Sequence, residues 1–265
     1  MGDKVKLTVD GGVGTLTLDD PPANTYSYEM MQELDAAILG ARMNDDVHVL
    51  VVRGAGDKFF CAGADIKMLA TSKPSFKYNF CLHANETLNR LEQTPKLVIA
   101  AINGHCVGGG LEVAMACDLR IARRGKAPGQ LKIGLPEVAL GVLPGTGGTQ
   151  RLARLLGRAK AIELMALGAN LSVEAAHALG LVNLLVDDDG FDAAVAEYAR
   201  RFVPPAKAAR AVGAIKRAVV SGLEMDFHSG LALERELQQQ LFVSDDAKEG
   251  IAAYVDKRPP SFKGR

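Results

Sequence analysis

Two glutamates lie in apolar surroundings beside glycine-rich stretches, where a charged side chain is unusual. Glu112 follows three consecutive glycines in "INGHCVGGGLEVAMACD", residues 102–118. Glu137 lies in "IGLPEVALGVLPGTGGTQRL", residues 133–152. A carboxyl group in such surroundings must be solvated, paired or functional, and burial would raise its pKa. Two such groups can divide the acid and base work of one reaction.

Each glutamate also has an ordinary explanation. Glu112 falls in the first turn of a predicted helix, where an acid complements the helix dipole. A surface glutamate directly after Pro136 would equally explain Glu137. We favour the functional interpretation because both glutamates accompany glycine loops.

The glycines Gly108, Gly109 and Gly110 come between a predicted strand and a predicted helix. Their N–H groups would be unpaired donors at the positive end of the helix dipole, which suits an anion or a developing oxyanion. The spacing fits neither the dinucleotide fingerprint nor a P-loop, so it does not favour a phosphate cradle. Close packing of a strand against a helix would also require glycine.

A third stretch, "DKFFCAGADIKML" at 57–69, places small side chains in a loop between a strand and a helix. The Ala64 N–H is therefore expected to be accessible to a ligand. Asp65 is predicted to cap the following helix. Lys67 puts a cation near the start of that helix, where the dipole does not favour it, so it indicates an anionic ligand or simply points into water.

The elements that position these residues alternate between strands and helices. The sequences "KVKLTV" and "VGTLTL" on either side of "DGG" predict a hairpin. Apolar spacing predicts helices over 27–43 and 75–92, and apolar runs predict strands at 47–52, 97–102 and 118–122. The buried face of the first helix is predicted to hold Met30, Met31, Leu34, Ile38 and Leu39.

Beyond Gly145 helical patterns dominate. Ser172 is predicted to begin a helix, and only 181–186 looks extended. Strands buried on both faces and alternating with helices indicate an α/β fold. We predict a core over 1–195 and a helical C-terminal region over 196–265.

The composition argues against several functions. The 265 residues include 31 basic and 31 acidic side chains, so no net field favours nucleic acid or an acidic membrane. The four cysteines lack C-x-x-C spacing, so we expect reduced buried thiols and no metal site. Apolar runs fall short of the ~20 residues that span a bilayer, and the N-terminus shows no apolar signal segment, so a soluble cytoplasmic protein is expected. A basic cluster is expected to lie in a solvated loop: Arg120, Arg123, Arg124 and Lys126.

With these stretches in order, the chain resembles the crotonase (enoyl-CoA hydratase/isomerase) family of acyl-CoA enzymes. The resemblance spans nearly the whole chain. It is carried by "PANTYS" at 22–27, "FCAGADIKML" at 60–69, "INGHCVGGGLEVAMACDLRIA" at 102–122, "GLPEVALGVLPGTGGTQRL" at 134–152 and "EGIAAYVDKRPPSFKG" at 249–264.

The resemblance implies a crotonase-type spiral of ββα units with a helical C-terminal trimerisation region, assembled as a trimer or as a homo-hexamer formed by a dimer of trimers. It implies that the N–H groups of Ala64 and Gly109 form an oxyanion hole for the thioester oxygen. Glu112 and Glu137 would be the catalytic carboxylates, and the Gly145 N–H would hold the water. The implied CoA-binding residues are Ala23, Ala62, Asp65, Ile66, Lys67 and, from a neighbouring subunit, Lys257.

The implied activity is that of a hydro-lyase, an enoyl-CoA hydratase that adds water syn to a 2-enoyl-CoA and gives a 3-hydroxyacyl-CoA. Coenzyme A would be part of the substrate, and no separate cofactor is expected. Methylglutaconyl-CoA hydratase and enoyl-CoA isomerase stay open as alternatives. A catalytically inert scaffold or RNA-binding protein on the same fold is the non-enzymatic alternative.

Three features depart from the resemblance or leave it open. The segment between Cys117 and Gly134 is longer than usual, which puts the strand leading to Glu137 in question. Asn24-Thr25-Tyr26 stands where many relatives read "NAL". A set of apolar residues could either shape the acyl site or form a core stripe: Met68, Leu69, Phe76, Tyr78 and Phe80.

Overall fold

The computed structural model describes residues 2–265 and begins with a β-hairpin. Strands β1 (Val5–Asp10) and β2 (Val13–Leu18) pair antiparallel, with Gly11 and Gly12 in the turn. The predicted hairpin is therefore confirmed. β2 then pairs parallel with β3 (Val49–Gly54), which joins the hairpin to the rest of the sheet.

The main sheet has six strands and separates two apolar clusters. It continues from β3 through β5 (Leu97–Ile102) and β7 (Leu119–Arg123) to β10 (Leu184–Val186), all in parallel. β5 is buried along its whole length, as a strand covered on both faces must be. Side chains from the two faces enter different clusters, which contain Val98 and Ile99 respectively.

A smaller sheet lies under the glycine loops. Its strands are β4 (Phe59–Cys61), β6 (His105–Val107), β8 (Lys132–Gly134) and β9 (Asn170–Ser172), and β4, β6 and β9 are not among the strands predicted from the sequence. β6 pairs with β8, so the register of the strand leading to Glu137 is fixed despite the long segment before it.

Eleven α-helices are found within residues 2–265, together with one 3₁₀ helix at Glu137–Leu140. The α-helices are α1 (Tyr28–Met43), α2 (Ile66–Thr71), α3 (Pro74–Glu92), α4 (Gly109–Met115), α5 (Gly148–Leu156), α6 (Arg158–Leu167), α7 (Val173–Ala178), α8 (Phe191–Arg200), α9 (Ala209–Gly222), α10 (Phe227–Phe242) and α11 (Asp245–Val255). None of them in this described part of the chain is long and apolar enough to cross a membrane.

Helix α1 follows its sequence signals closely. Ser27 caps it by accepting a hydrogen bond from the Met30 N–H, and Met31 and Ile38 are fully buried. Leu39 was placed on the buried face by the apolar spacing, but it is 38% exposed. It lies at the margin of the apolar stripe, where burial depends on which neighbours are present.

The predicted boundary at 195 falls inside α8. Phe191 and Val195 of this helix pack in the cluster on one face of the main sheet. From Ala209 onward the described elements are all helices. The division into a core and a C-terminal region stays a prediction.

The basic cluster does not lie in a solvated loop as a whole, because Arg120 and Arg123 belong to strand β7, so that prediction is wrong for these two residues. Arg120 is only 3% exposed and donates hydrogen bonds to the carbonyl oxygens of Leu181, Ala114 and Cys117. Two of these carbonyls lie at or just beyond the C-terminal end of α4, so a cation there is favoured by the helix dipole.

Candidate active site

Glu112 lies in the first turn of α4 and is only 2% exposed. The chain turns from β6 into α4 at Gly108, whose φ of 58° is accessible mainly to glycine. The Glu112 Oε1 atom accepts hydrogen bonds from the N–H groups of Thr146 and Gly148, both at 2.7 Å. The carboxyl group is therefore held against the N-terminal end of α5.

Opposing effects act on the pKa of Glu112. Burial raises it above its ordinary value, as the sequence led us to expect. Hydrogen bonds from the Gly148 and Thr146 amides and from the Thr146 side chain favour the charged form, and so does the nearby Arg151. Burial is the largest effect, but the carboxylate keeps two strong donors on one oxygen.

Glu137 begins the 3₁₀ helix and is half-buried. Its Oε1 lies near Gly108, where an added Cβ would approach it to 3.2 Å. Its Oε2 is buried and has no hydrogen-bond partner among the described residues. Burial, with a smaller contribution from the charge of Glu112, raises the pKa of Glu137 to about 7. This carboxyl is therefore suited to hold and release a proton near neutral pH.

Two backbone N–H groups near these carboxyls lack protein partners in the described part of the chain. Within residues 2–265, neither the Ala64 N–H nor the Gly109 N–H donates a hydrogen bond to another group of the chain. The preceding Gly63 has a φ of 90°, and a Cβ on it would lie 2.8 Å from the Gly109 nitrogen. The loop before α2 and the N-terminus of α4 are thus packed directly together.

Helix α3 supports the loop over 144–148. Asn85 donates to the Gly145 carbonyl at 3.0 Å. Arg151 donates to Thr146 O and forms an ion pair with Glu92 at 2.9 Å. The loop that holds Glu112 is therefore fixed by side chains from a second helix.

The residues expected at the CoA site, other than Lys257, lie in two adjacent segments. The Ala62 N–H donates to the Ala23 carbonyl at 3.0 Å, so these two segments are adjacent. Asp65 caps α2 by accepting from the N–H groups of Lys67 and Met68, which confirms the predicted cap. Ile66 and Lys67 are exposed. Lys257 is exposed just after α11.

The apolar set near α2 and α3 divides between the two interpretations. Phe80 is 3% exposed and belongs to the core. Met68 and Leu69 are partly buried and pack against this core cluster. Phe76 and Tyr78 are 37% and 72% exposed. Core packing therefore explains Phe80, whereas the two exposed rings remain available to a ligand or a partner.

The structure brings together residues that the sequence did not connect with the site. Thr146 and Gly148 hold Glu112 through their backbone N–H groups, and Tyr26 lies between Thr146 and Gly109. Every residue except proline has a backbone N–H, so residue type does not reveal which amides bind Glu112. The only available signal was the glycine-rich composition of 145–148. Tyr26 was visible only as a departure from the pattern of its relatives.

The two N–H groups can stabilise an oxygen that acquires negative charge. The two carboxyls beside them can take up and release protons in the same reaction. Among residues 2–265, no group of three or more metal-ligating side chains is found. Two carboxyls beside two N–H donors are suited to acid–base chemistry next to a developing negative charge.

Comparison with known proteins indicates which family the chain belongs to. Residues 8–265 match the family model described as enoyl-CoA hydratase/isomerase. The chain is 38% identical to a probable enoyl-CoA hydratase of Bacillus subtilis, with 98% of each chain covered. It is 36% identical to the mitochondrial methylglutaconyl-CoA hydratase of Rattus norvegicus, with 91% of this chain and 76% of that protein covered.

The crystal structure of an enoyl-CoA hydratase from Geobacillus kaustophilus superposes with a TM-score of 0.95 at 42% identity, covering 100% of this chain and 98% of that one. The crotonase-type α/β fold expected from the sequence is therefore confirmed. The family model matches nearly the whole chain, the relatives are more than a third identical, and the superposition covers both structures almost completely. The chain therefore belongs to the enoyl-CoA hydratase/isomerase family.

Proposed function

We propose that this protein is an enoyl-CoA hydratase that adds water syn and reversibly to a 2-enoyl-CoA, giving a 3-hydroxyacyl-CoA. The observation that carries the proposal is the juxtaposition of two unpaired backbone N–H groups, on Ala64 and Gly109, with the carboxyls of Glu112 and Glu137. Hydration of a conjugated thioester needs both an oxyanion site and two proton-transfer groups.

The Ala64 and Gly109 N–H groups bind the thioester carbonyl oxygen. Attack of water on C3 places negative charge on this oxygen, and fixed donors stabilise that charge without reorganising. Losing one donor from a comparable site costs roughly 3 to 4 kcal/mol of transition-state stabilisation.

Glu112 acts as the base toward water. Its Oε1 accepts both amide hydrogens, so its other oxygen is left for the water molecule. The Gly145 N–H holds that water from the same loop. The N-terminus of α5 favours the carboxylate, which is the form a base requires.

Glu137 supplies the proton at C2. Its pKa of about 7 keeps a substantial protonated fraction near neutral pH, and its buried, unpartnered oxygen favours the neutral form. In the reverse direction the same two groups dehydrate a 3-hydroxyacyl-CoA.

Coenzyme A enters as part of the substrate and lies along the edge that contains Ala23, Ala62 and the segment 65–67. Lys67 and, from a neighbouring subunit, Lys257 face its phosphates. The C-terminal helical region assembles the chain as a trimer or as a dimer of trimers. Support for this assembly comes from large apolar side chains exposed on α9–α11, including Val219, Phe242 and Tyr254.

A methylglutaconyl-CoA hydratase is the second candidate, because the rat enzyme of that name is about as similar to this chain as the bacterial hydratase is. The two candidates share the reaction and differ only in the acyl group. The ratio of kcat/KM for 3-methylglutaconyl-CoA and crotonyl-CoA separates them.

The test is hydration of crotonyl-CoA by the purified protein, followed as loss of the conjugated-thioester absorbance. Glu112→Gln and Glu137→Gln should each lower kcat by about 10²- to 10⁴-fold, the usual contribution of a positioned acid or base. Glu163→Gln, at an exposed ion pair on α6, is the matched control and should leave the rate unchanged.

Unchanged turnover in both site variants would contradict the mechanism. Product analysis in deuterated water separates hydration from isomerisation, because only hydration leaves a 3-hydroxy product. A wild-type protein inert toward all enoyl-CoA thioesters would favour the scaffold alternative.

A further inference from the structure

The backbone of Tyr26 forms hydrogen bonds to the residues on either side of Ala64. Its N–H donates to the Gly63 carbonyl at 2.9 Å, and its carbonyl accepts from the Asp65 N–H at 3.0 Å. These two bonds flank Ala64 and leave the Ala64 N–H unpaired. The backbone of Tyr26 thus sets the direction in which that N–H points.

The side chain of Tyr26 reaches the other half of the site. It is 3% exposed, and its ring packs on Phe80 with the centroids 6.0 Å apart. Its hydroxyl occupies the space that a side chain at Gly109 would fill. The Tyr26 and Thr146 hydroxyl oxygens lie 3.1 Å apart, within hydrogen-bond distance.

Thr146 in turn holds Glu112. Its N–H donates to the Glu112 Oε1 at 2.7 Å. On the opposite side, its carbonyl accepts from Arg151. A displacement of Thr146 would therefore move one of the two amides that orient the Glu112 carboxylate.

We infer that Tyr26 is a positioning residue for the proposed hydration, whose hydroxyl fixes Thr146 and through it the orientation and charge state of Glu112. The inference rests on the proposed function. A leucine at this position would have no hydroxyl to offer Thr146, so the polar contact depends on tyrosine here.

The surroundings indicate that Tyr26 acts as a neutral hydrogen-bonding group. Burial, and after it the charge of Glu112, raises the pKa of Tyr26 well above its ordinary value, so the phenol stays protonated. Cys61 and Cys81 also face it, and both thiols have pKa values raised by burial. The titratable and charged groups around Glu112 are Tyr26, Cys81, Glu137 and Arg151.

The first test is Tyr26→Phe, which removes only the hydroxyl. We expect kcat for crotonyl-CoA to fall about tenfold, the effect of one lost hydrogen bond, with a smaller change in KM. The acid limb of the kcat/KM profile should move to higher pH, because weaker support of the charged form raises the pKa of Glu112. A purely structural role would lower the rate without moving this limb.

The matched control is Tyr28→Phe. Tyr28 is half-buried at the start of α1, its ring contacts Phe76 and His83, and no described residue bonds its hydroxyl. The rate and the pH profile of this variant should equal those of the wild type. A wild-type rate and profile for Tyr26→Phe as well would overturn the inference.

A double-variant cycle tests the route through Thr146. Thr146→Val keeps the N–H that binds Glu112 and removes the hydroxyl. If Tyr26 acts through that hydroxyl, Tyr26→Phe combined with Thr146→Val should be no slower than Thr146→Val alone. Additive losses would show that Tyr26 acts by another route and would refute the proposal.

A measurement without turnover separates this inference from the proposed function. The pKa of Glu112 can be followed in the free protein from the infrared carboxyl band that disappears in Glu112→Gln. Tyr26→Phe should move that titration to higher pH even if crotonyl-CoA is not the substrate. An unchanged titration beside an active wild-type enzyme would reject the role of Tyr26 and leave the hydratase proposal standing.

Discussion

Burial raises the pKa of both Glu112 and Glu137, but the two carboxyls have different hydrogen-bond partners. Glu112 has two amide donors on one oxygen, whereas Glu137 has a buried oxygen that no residue within 2–265 contacts by a hydrogen bond. Donors favour the charged form and an unpartnered buried oxygen favours the neutral form. On this difference rests our proposal of the base role for Glu112 and the acid role for Glu137.

The first prediction at the residue scale concerns the rate as a function of pH. In the proposed mechanism hydration requires protonated Glu137, whose pKa is about 7, so kcat/KM should fall as pH rises through that value. The measurement is kcat/KM for crotonyl-CoA between about pH 5 and 9. A rate that stays flat or rises through neutrality would argue against Glu137 as the acid.

The second prediction concerns stability and the same side chain. The folded-state pKa of Glu137 is raised from 4.5 to about 7, so the native state loses stability as pH rises through this interval. Glu137→Gln cannot ionise and should match the wild type near pH 4 but melt about 2–4 °C higher near pH 8, allowing for partial exposure. Thermal unfolding followed by circular dichroism measures this.

The control for that prediction is Glu163→Gln on the surface of α6. Its difference from the wild type should be the same at both pH values. An equal shift for Glu137→Gln at both pH values would mean that ionisation of Glu137 is not the cause.

At the scale of elements, glycine allows the N-terminus of α4 to pack against β4. A Cβ on Gly110 would overlap the Cys61 carbonyl oxygen, whereas a Cβ on Gly40 in α1 would meet no atom within 4 Å. The two helical glycines therefore serve different purposes. The first permits a close backbone approach, and the second only lowers the stability of its helix.

The third prediction compares alanine at these two positions. Gly110→Ala should destabilise the fold by about 1–3 kcal/mol through overpacking. Gly40→Ala should stabilise it by about 0.5–1 kcal/mol because alanine loses less backbone entropy in a helix. Urea unfolding of both variants measures the difference, and equal signs would be inconsistent with this packing.

At the scale of the whole molecule, one buried ion pair attaches the C-terminal helices to the main sheet. Lys216 of α9 lies 2.9 Å from Asp118, and their side chains are 4% and 13% exposed. The ammonium also donates to the Lys96 carbonyl, and the Asp118 carboxylate accepts from the Val98 N–H. The pair is thus satisfied by backbone groups at the start of β5.

The fourth prediction is that Lys216→Ala destabilises the protein by about 3–5 kcal/mol, because it leaves Asp118 buried without its counter-charge. Lys216→Met combined with Asp118→Asn should cost less than Lys216→Ala alone, since no unpaired charge remains. Chemical denaturation of the three proteins is the measurement. A double variant that is less stable than the single one would contradict this account.

Much of the fold could be predicted from the sequence because the signals are local. The hairpin about Gly11 and Gly12, the Ser27 and Asp65 caps and the buried strand β5 follow from residue type and period alone. Glu112 was found in the same way, since an acid within an apolar, glycine-rich stretch is visible without coordinates. The short strands β4, β6 and β9 escaped detection because three residues carry too little periodicity.

Other features were decided only when distant segments met. Arg120 looks like a surface charge until the end of α4 and Leu181 supply its acceptors. Tyr26 and Thr146 are 120 residues apart, and their contact depends on how the smaller sheet packs under α4 and α5. Residue type and spacing thus determined which groups this chain has for chemistry. The tertiary structure decided which backbone amides stay unpaired and which side chains fix the carboxyls, because such contacts depend on three-dimensional distance and leave no local pattern.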